Sequence, residues 1–205
     1  MHIACSPRKA RSHSTKLAEA FITAYAASHP ADNVDTFNVW DFDLPEFDGE
    51  TINAKYAVIH GLEHIGDQVQ AWDRVKNVFN RFNAADKYLF SVPMWNFNIP
   101  YKLKHFIDVI TQPSLSWSFS PEAGYKGLVT GKPAAAIYSS GGTYESGSAT
   151  QALDLQKPYL ETWLRFIGFT EIHSIVVAPT LATPEAVEQA ESSAKLAAQK
   201  IAESL

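Results

Sequence analysis

Lys87-Tyr88-Leu89-Phe90-Ser91-Val92, followed at once by Pro93-Met94-Trp95-Asn96-Phe97-Asn98-Ile99-Pro100, is the stretch whose reading decides the fold. Its first six residues form a mostly apolar run of strand length, as expected of a strand covered on both faces. Pro93 stops the run, because proline has no amide hydrogen for a sheet ladder. Pro100 can occupy the first turn of a helix, and Leu103, Phe106, Ile107 and Ile110 then recur at helical spacing. A buried strand feeding an amphipathic helix through a tight turn is half of a parallel β-α-β unit.

The same alternation extends in both directions. Upstream, His2 to Cys5 reads as a short first strand and Ser6 to His13 as a polar loop. A helix then starts near Ser14, with Leu17, Ala18, Phe21, Ile22 and Tyr25 on one face. Val34 to Val39 can form a second strand, closed by Pro45. Thr51 to Phe82 reads as helical, with Gly61 and Gly66 as the points where it can break. Downstream, Ala134 to Ser139 is a fourth strand, a helix runs from about Leu153 to Phe166, and Ile172 to Val177 is a fifth strand. Thr183 and Pro184 open the last helix as cap and first-turn proline. Its Glu185, Glu188, Glu191, Lys195 and Lys200 make a solvated face over a stripe of small residues. No repeat or linker divides the chain, so residues 1–205 are expected to form one domain. The fold expected is α/β: a doubly wound, parallel five-stranded sheet of flavodoxin-like order 2-1-3-4-5, with helices on both faces.

Composition narrows the function. Of the 205 residues, 46% are hydrophobic and 19% charged, within the ordinary range of a folded globular domain. The net charge of −5 and the absence of any basic stripe argue against a nucleic-acid partner. Apolar runs such as Ala134 to Tyr138 fall far short of the roughly 20 residues a spanning helix needs, which argues against a membrane partner. Polar Ser6-Pro7-Arg8 follows too soon for a signal peptide, so a cytoplasmic location is expected. Cys5 is the single cysteine, leaving no intrachain disulfide and no multi-cysteine metal site, and its apolar neighbours suit a buried, inert thiol. Aromatic residues reach 12%, with five Trp, more than a minimal core requires, so some rings are available for a flat ligand.

In open sheets of this order, ligands sit beyond the carboxyl ends of the strands, where the strand order reverses. Three loops meet that description. Ser6 to Ser14 lacks the glycines of a dinucleotide fingerprint or a P-loop, yet it places three hydroxyls and free amides at a helix N-terminus, a setting suited to a phosphate. The plainer alternative is that Ser14 only caps the helix. Pro93 to Asn98 crowds apolar, aromatic and amide groups into a turn that would ordinarily be polar. That mixture suits a flat heteroaromatic ring, the alternative being a turn tucked into the core. Ser139 to Tyr144 contains Gly141-Gly142, where a backbone can approach a ligand with no side chain in the way, or simply turn.

Taken in order, Ser6-Pro7-Arg8 with Ser12 and Ser14, Pro93 through Pro100, Leu103-Lys104, Asp108, Lys126-Gly127-Leu128, Gly141-Gly142, Tyr159-Leu160 and Phe166-Ile167-Gly168 resemble the FMN-dependent NADH-azoreductase and NAD(P)H:quinone oxidoreductase family. The resemblance spans nearly the whole chain, and its most specific block is Pro93-Met94-Trp95-Asn96-Phe97. It implies a bound FMN, a homodimer, NADH or NADPH as donor, and quinones or azo compounds as acceptors. Ser6, Ser12, His13 and Ser14 would hold the phosphate. Pro93, Met94, Trp95, Asn96 and Phe97, with Ser139, Ser140, Gly141 and Gly142, would hold the ring. Phe119, Phe166 and Tyr144 would line the substrate side. Ser140 stands where many members carry Arg, and Trp95 where Tyr is common, so flavin potential and acceptor preference differ with them. No side-chain nucleophile or general base is required, because the cofactor carries the chemistry.

Two other readings compete. His60-Gly61-Leu62-Glu63-His64 matches the spacing of an inverted zinc-peptidase motif, although Gly61 weakens the helix it needs and no third ligand stands at a characteristic spacing. The second is a flavodoxin-type carrier passing electrons between proteins. Trp117, Phe119, Trp163 and Phe166 favour a small-molecule pocket instead.

Overall fold

Alternation within the strands decides which helices cover which face of the sheet. The computed structural model, which describes residues 1–205, pairs five parallel strands side by side: β2 (Thr36–Asn38), β1 (His2–Ala4), β3 (Tyr88–Pro93), β6 (Ala134–Ser139) and β7 (Ile172–Val177). Counted within this sheet, the order is the expected 2-1-3-4-5. Leu89, Ala135, Ile137, Ile175 and Val177 turn to one face, where α1 (His13–Ser28) and α6 (Pro184–Ser204) pack against them. Ala194, Ala198 and Ala202 form the buried stripe of α6, and their small side chains let it lie close to α1. Tyr88, Phe90, Val92, Ala134, Ala136 and Tyr138 turn to the other face. There α3 (Asp67–Asn83), α4 (Tyr101–Ile110) and α5 (Lys157–Ile167) build the larger core, dominated by Phe82, Phe106 and Trp163 around Phe90.

The expected helical region from Thr51 to Phe82 is two helices. In α2 (Gly49–His60), the Asp48 carboxylate accepts from the Thr51 amide at 2.9 Å as N-cap. Gly61 ends α2 in the left-handed region, φ +66°, a conformation that favours glycine. Helix α3 starts only after Gly66. The break separates the two histidines of the zinc-like spacing. His60 closes α2, while His64 lies beyond the glycine with its ring bonded to the Ala54 carbonyl at 2.9 Å and set against Trp72.

A further element sits outside the main sheet, an antiparallel hairpin of β4 (Trp117–Ser120) and β5 (Gly124–Gly127). It is fastened to the end of α5 by a backbone contact between two glycines. A Cβ on Gly127 would lie 2.3 Å from the Gly168 nitrogen and 2.4 Å from the Ile167 carbonyl carbon. Just past the hairpin, the Val129 amide donates to the Ile167 carbonyl at 2.8 Å. Because β1, β3 and β6 are neighbours, the loops leaving their carboxyl ends are brought together at one edge of the molecule.

Candidate active site

The first of these loops leaves β1 through Ser6 and passes a single turn of 3₁₀ helix, Lys9–Arg11, before α1 begins. Ser6, Ser12 and Ser14 are buried, whereas Pro7 to Arg11 are exposed. Ser12 holds the N-cap position in extended backbone, yet its hydroxyl caps no amide. It pairs instead with the Ser14 hydroxyl at 3.1 Å. The opening amides of α1 therefore keep free donors beside two buried hydroxyls, with no acidic side chain in the first turn. His13 points elsewhere. Its Nδ1 lies 2.7 Å from the Glu191 carboxylate of α6, so only its backbone belongs to this loop's donor set.

The second loop is a strained turn. Trp95 and Asn98 exchange both backbone hydrogen bonds, at 2.8 and 3.0 Å, closing a two-residue tip. Asn96 and Phe97 occupy that tip with φ of +47° and +69°. Asparagine tolerates this conformation; phenylalanine does so at a cost of about 1 kcal/mol or more. Neighbours hold it there. The Leu155 amide donates to the Phe97 carbonyl at 3.0 Å, and the Asn98 Oδ1 accepts from the Ile99 amide at 2.7 Å. Pro93 and Met94 lead into the turn, and the Met94 amide reaches the Ser139 carbonyl at 2.7 Å, tying the second loop to the third. Pro100 is the N-cap of α4 rather than a residue of its first turn.

In the third loop, Ser139 and Ser140 are buried and the Ser140 hydroxyl folds back onto the Gly142 carbonyl at 2.8 Å. The Ser140 carbonyl accepts from both the amide and the hydroxyl of Thr180, each at 3.0 Å. The two glycines serve different ends. A Cβ on Gly141 would meet Leu181 Cδ1 at 2.9 Å, so its missing side chain makes room for a leucine; nothing lies within 4 Å of the same point on Gly142. Gly142 is thus the position with free backbone approach.

The hairpin gathers the aromatic residues of the remaining side. Phe119 packs on Tyr125 at 5.0 Å between ring centres, Tyr125 on Phe166 at 5.7 Å, and Phe166 on Trp117 at 6.1 Å. Phe119 and Phe166 are therefore joined through Tyr125. Tyr144 is half-buried in the third loop and stacks on none of these rings. Trp163, expected among them, is a core residue instead, 6% exposed, with its indole N–H on the Thr111 hydroxyl. Trp40 and Tyr101, which no sequence motif marks, pack against Trp95 with tilted rings, 5.5 and 6.4 Å between centres. A Trp directly after a predicted strand at the carboxyl edge was the available signal.

A cavity of about 560 Å³ opens beside the second loop, lined by Trp95, Asn96, Asn98, Phe47, Tyr101 and Tyr159. Burial first, and then the nearby Asp108 charge, push the Tyr159 phenol up to about 12, so it remains a neutral donor at physiological pH. A larger cavity, about 640 Å³, lies among Phe21, Tyr25, Tyr88 and Leu89, toward the amino ends of β1 and β3. The three loops and their donors are at the opposite ends of those strands, and the switch-point rule favours that side. Burial pushes the Cys5 thiol up, so it stays protonated and unreactive. No helix is long and apolar enough to cross a membrane.

Comparison with known proteins finds relatives along nearly the whole chain. Residues 1–202 match the family described as having a flavodoxin-like fold. A protein of Desulfotalea psychrophila named FMN-dependent NADH:quinone oxidoreductase is 48% identical, over 100% of this chain and 96% of the relative. One of the same name from Nitratidesulfovibrio vulgaris is 45% identical over 93% and 95%. Among solved structures, an azoreductase from Bacillus anthracis superposes with a TM-score of 0.91 at 26% identity, covering 100% of this chain and 98% of that one.

Proposed function

Because this chain belongs to the flavodoxin-like family of FMN-dependent NADH:quinone oxidoreductases and azoreductases, we propose that it passes electrons from NADH through bound FMN to quinones and azo compounds. The observation that carries this reading is the buried hydroxyl pair of Ser12 and Ser14 at an uncapped helix N-terminus. The first amides of α1 stand free beside the two hydroxyls and no acidic group lies in the first turn, a setting that suits a phosphate. FMN ends in such a phosphate, and the flat part of that molecule suits the aromatic and amide groups of the neighbouring turn.

Bound FMN supplies the two-electron transfer itself. The protein's part is to bind, orient and exclude water. Ser6, Ser12 and Ser14 hydroxyls, with the first amides of α1, would hold the phosphate. The backbone and side chains of Pro93 to Phe97 would hold the ring, with the tip Asn96 offering both a donor and an acceptor. Ser139 to Gly142 would offer the ring an open backbone. Phe119, Tyr125 and Phe166 give a flat acceptor an apolar surface, and Tyr144, on the third loop, is proposed to line the same side. Donor and acceptor use this one surface in turn, giving ping-pong kinetics, since no separate nicotinamide fingerprint exists in the chain.

The whole chain acts as one cytoplasmic domain and pairs as a homodimer. Support for pairing comes from exposed apolar residues: Ile52, Tyr56 and Ile59 at helical spacing on α2, with Leu62, Ile65 and Val69 following in the chain. Exposed apolar surface of this kind marks association sites, and a two-fold axis buries the same patch from each copy. The site is tested by titrating FMN into flavin-free protein and into the Ser12→Ala/Ser14→Ala variant. Loss of two hydrogen bonds to a charged phosphate should weaken binding by about 3 to 6 kcal/mol. Equal affinity in the two proteins would refute the assignment of this loop.

A further inference from the structure

Trp40 lies two residues past β2, half-buried, and bonds to one loop while packing on another. Its indole N–H donates to the Cys5 carbonyl at 2.9 Å. That carbonyl is one residue beyond the last β1–β2 pair, Ala4 with Asn38, and immediately precedes Ser6. A side chain thus extends the strand pairing to the start of the Ser6–Ser14 loop. The same indole ring packs on Trp95 at 5.5 Å and meets Tyr101 edge-on at 5.3 Å. Trp95 opens the strained turn and Tyr101 begins α4. The turn that carries Trp40 is itself fixed, since Asn38 Oδ1 accepts the Trp40 amide at 3.0 Å and Asn38 Nδ2 donates to Asp41.

From these contacts we infer that Trp40 is a positioning residue that couples the two loops of the FMN site, its N–H setting the grip on phosphate and its ring setting the grip on the flat end. The inference rests on the FMN reading above. The two attachments are chemically separable. Phenylalanine keeps an aromatic face against Trp95 and Tyr101 but has no N–H, so the Cys5 carbonyl loses a donor in a fully buried stretch. The backbone leading into Ser6 then relaxes, and the hydroxyls behind it are no longer held in register. The ring-holding turn keeps its support.

Riboflavin has the same ring as FMN and lacks the phosphate, so comparing the two ligands isolates the two functions. Flavin-free wild type, Trp40→Phe and Asn38→Ala are titrated with each ligand by flavin fluorescence. Trp40→Phe should lose about fivefold in FMN affinity, the factor one neutral hydrogen bond commonly controls, and leave riboflavin affinity near that of wild type. Asn38→Ala, a milder change at the supporting turn, should move the FMN-to-riboflavin ratio in the same direction. An unchanged ratio in both variants overturns the inference, as does an equal loss for both ligands, which would mark Trp40 as general packing. If Trp40→Phe does not fold, the ratio in Asn38→Ala decides. A wild type that binds no FMN would instead defeat the site assignment itself, a result distinct from either.

Discussion

Replacing Gly127 with alanine should detach the aromatic surface from the rest of the site without touching the flavin loops. The added methyl would fall 2.3 Å from the Gly168 nitrogen, 2.4 Å from the Ile167 carbonyl carbon and 2.5 Å from the Gly168 Cα. All three are backbone atoms, so no side-chain rotation relieves the clash. Gly168 cannot readily retreat either: its φ is +123°, and a Cβ of its own would meet the Val129 carbonyl oxygen at 2.8 Å. The hairpin must therefore lift away, lengthening the 2.8 Å bond from the Val129 amide to the Ile167 carbonyl. Overpacking of this severity sits at the upper end of the usual range, about 3 kcal/mol. For a chain of this size that corresponds to a fall of roughly 10 °C in Tm. Because Phe119 and Tyr125 travel with the hairpin while Phe166 stays on α5, the KM for quinone should rise severalfold while FMN affinity holds. Gly49→Ala is the control. Gly49 opens α2 with nothing within 4 Å of its Cβ position, and alanine there should stabilise by at most about 1 kcal/mol. A Gly127→Ala protein with wild-type Tm and wild-type KM would show that this glycine contact does not dock the hairpin.

Acid should destabilise the fold through His2. Burial first, and the adjacent positive amine second, lower its pKa from 6.5 to about 4, and its ring pairs with the Ser91 hydroxyl at 2.9 Å. The unfolded chain takes the proton first as pH falls, so this stability is complete above about 6.5 and is lost toward 4, by about 3 kcal/mol at most. Urea midpoints across that window, compared with those of His2→Gln, should show the slope reduced in the variant. Phe97→Gly should relieve the strain at φ +69° and raise stability by about 1 kcal/mol while weakening FMN binding; a loss of stability would mean the phenylalanine ring contributes more than the strain costs. Ile59→Lys in the exposed strip of α2 should shift sedimentation toward the monomer, and an unaltered dimer would place the interface elsewhere.

How much of this was legible depends on whether the deciding contact was local. The runs 134–139 and 172–177 coincide with β6 and β7, because the first is closed by Ser140-Gly141-Gly142 and the second by Pro179, residues that mark their own boundaries. The convergence of the three candidate loops follows from the strand order, which places β1, β3 and β6 side by side. The β4–β5 hairpin was not legible as a unit. Its residues are half-buried at most, they form no apolar run, and what fastens it is a contact between glycines 41 positions apart in the chain (127 and 168). The α5 helix starts at Lys157 rather than near Leu153, because the Asp154 carboxylate accepts from the amides of Gln156 and Lys157 and sets a later start. Side-chain direction was the least accessible property. The His13 ring is paired with Glu191, on a helix far along the chain, which leaves its amide as the group it can offer the first loop. The Ser140 hydroxyl turns to the Gly142 carbonyl, so backbone rather than side chain is what it can offer a ligand. Trp163 reads as lining a pocket until Thr111 draws its indole into the core.

If this chain is itself the oxidoreductase, donor and acceptor meet the flavin on the same protein. The visible absorption of the FMN-loaded protein, followed anaerobically on addition of NADH and then of a quinone, tests this directly. NADH alone should bleach the band in proportion to bound FMN, and quinone should restore it. A band that NADH leaves intact, and that fades only when a separate reductase protein is added, would mark the chain as an electron carrier instead.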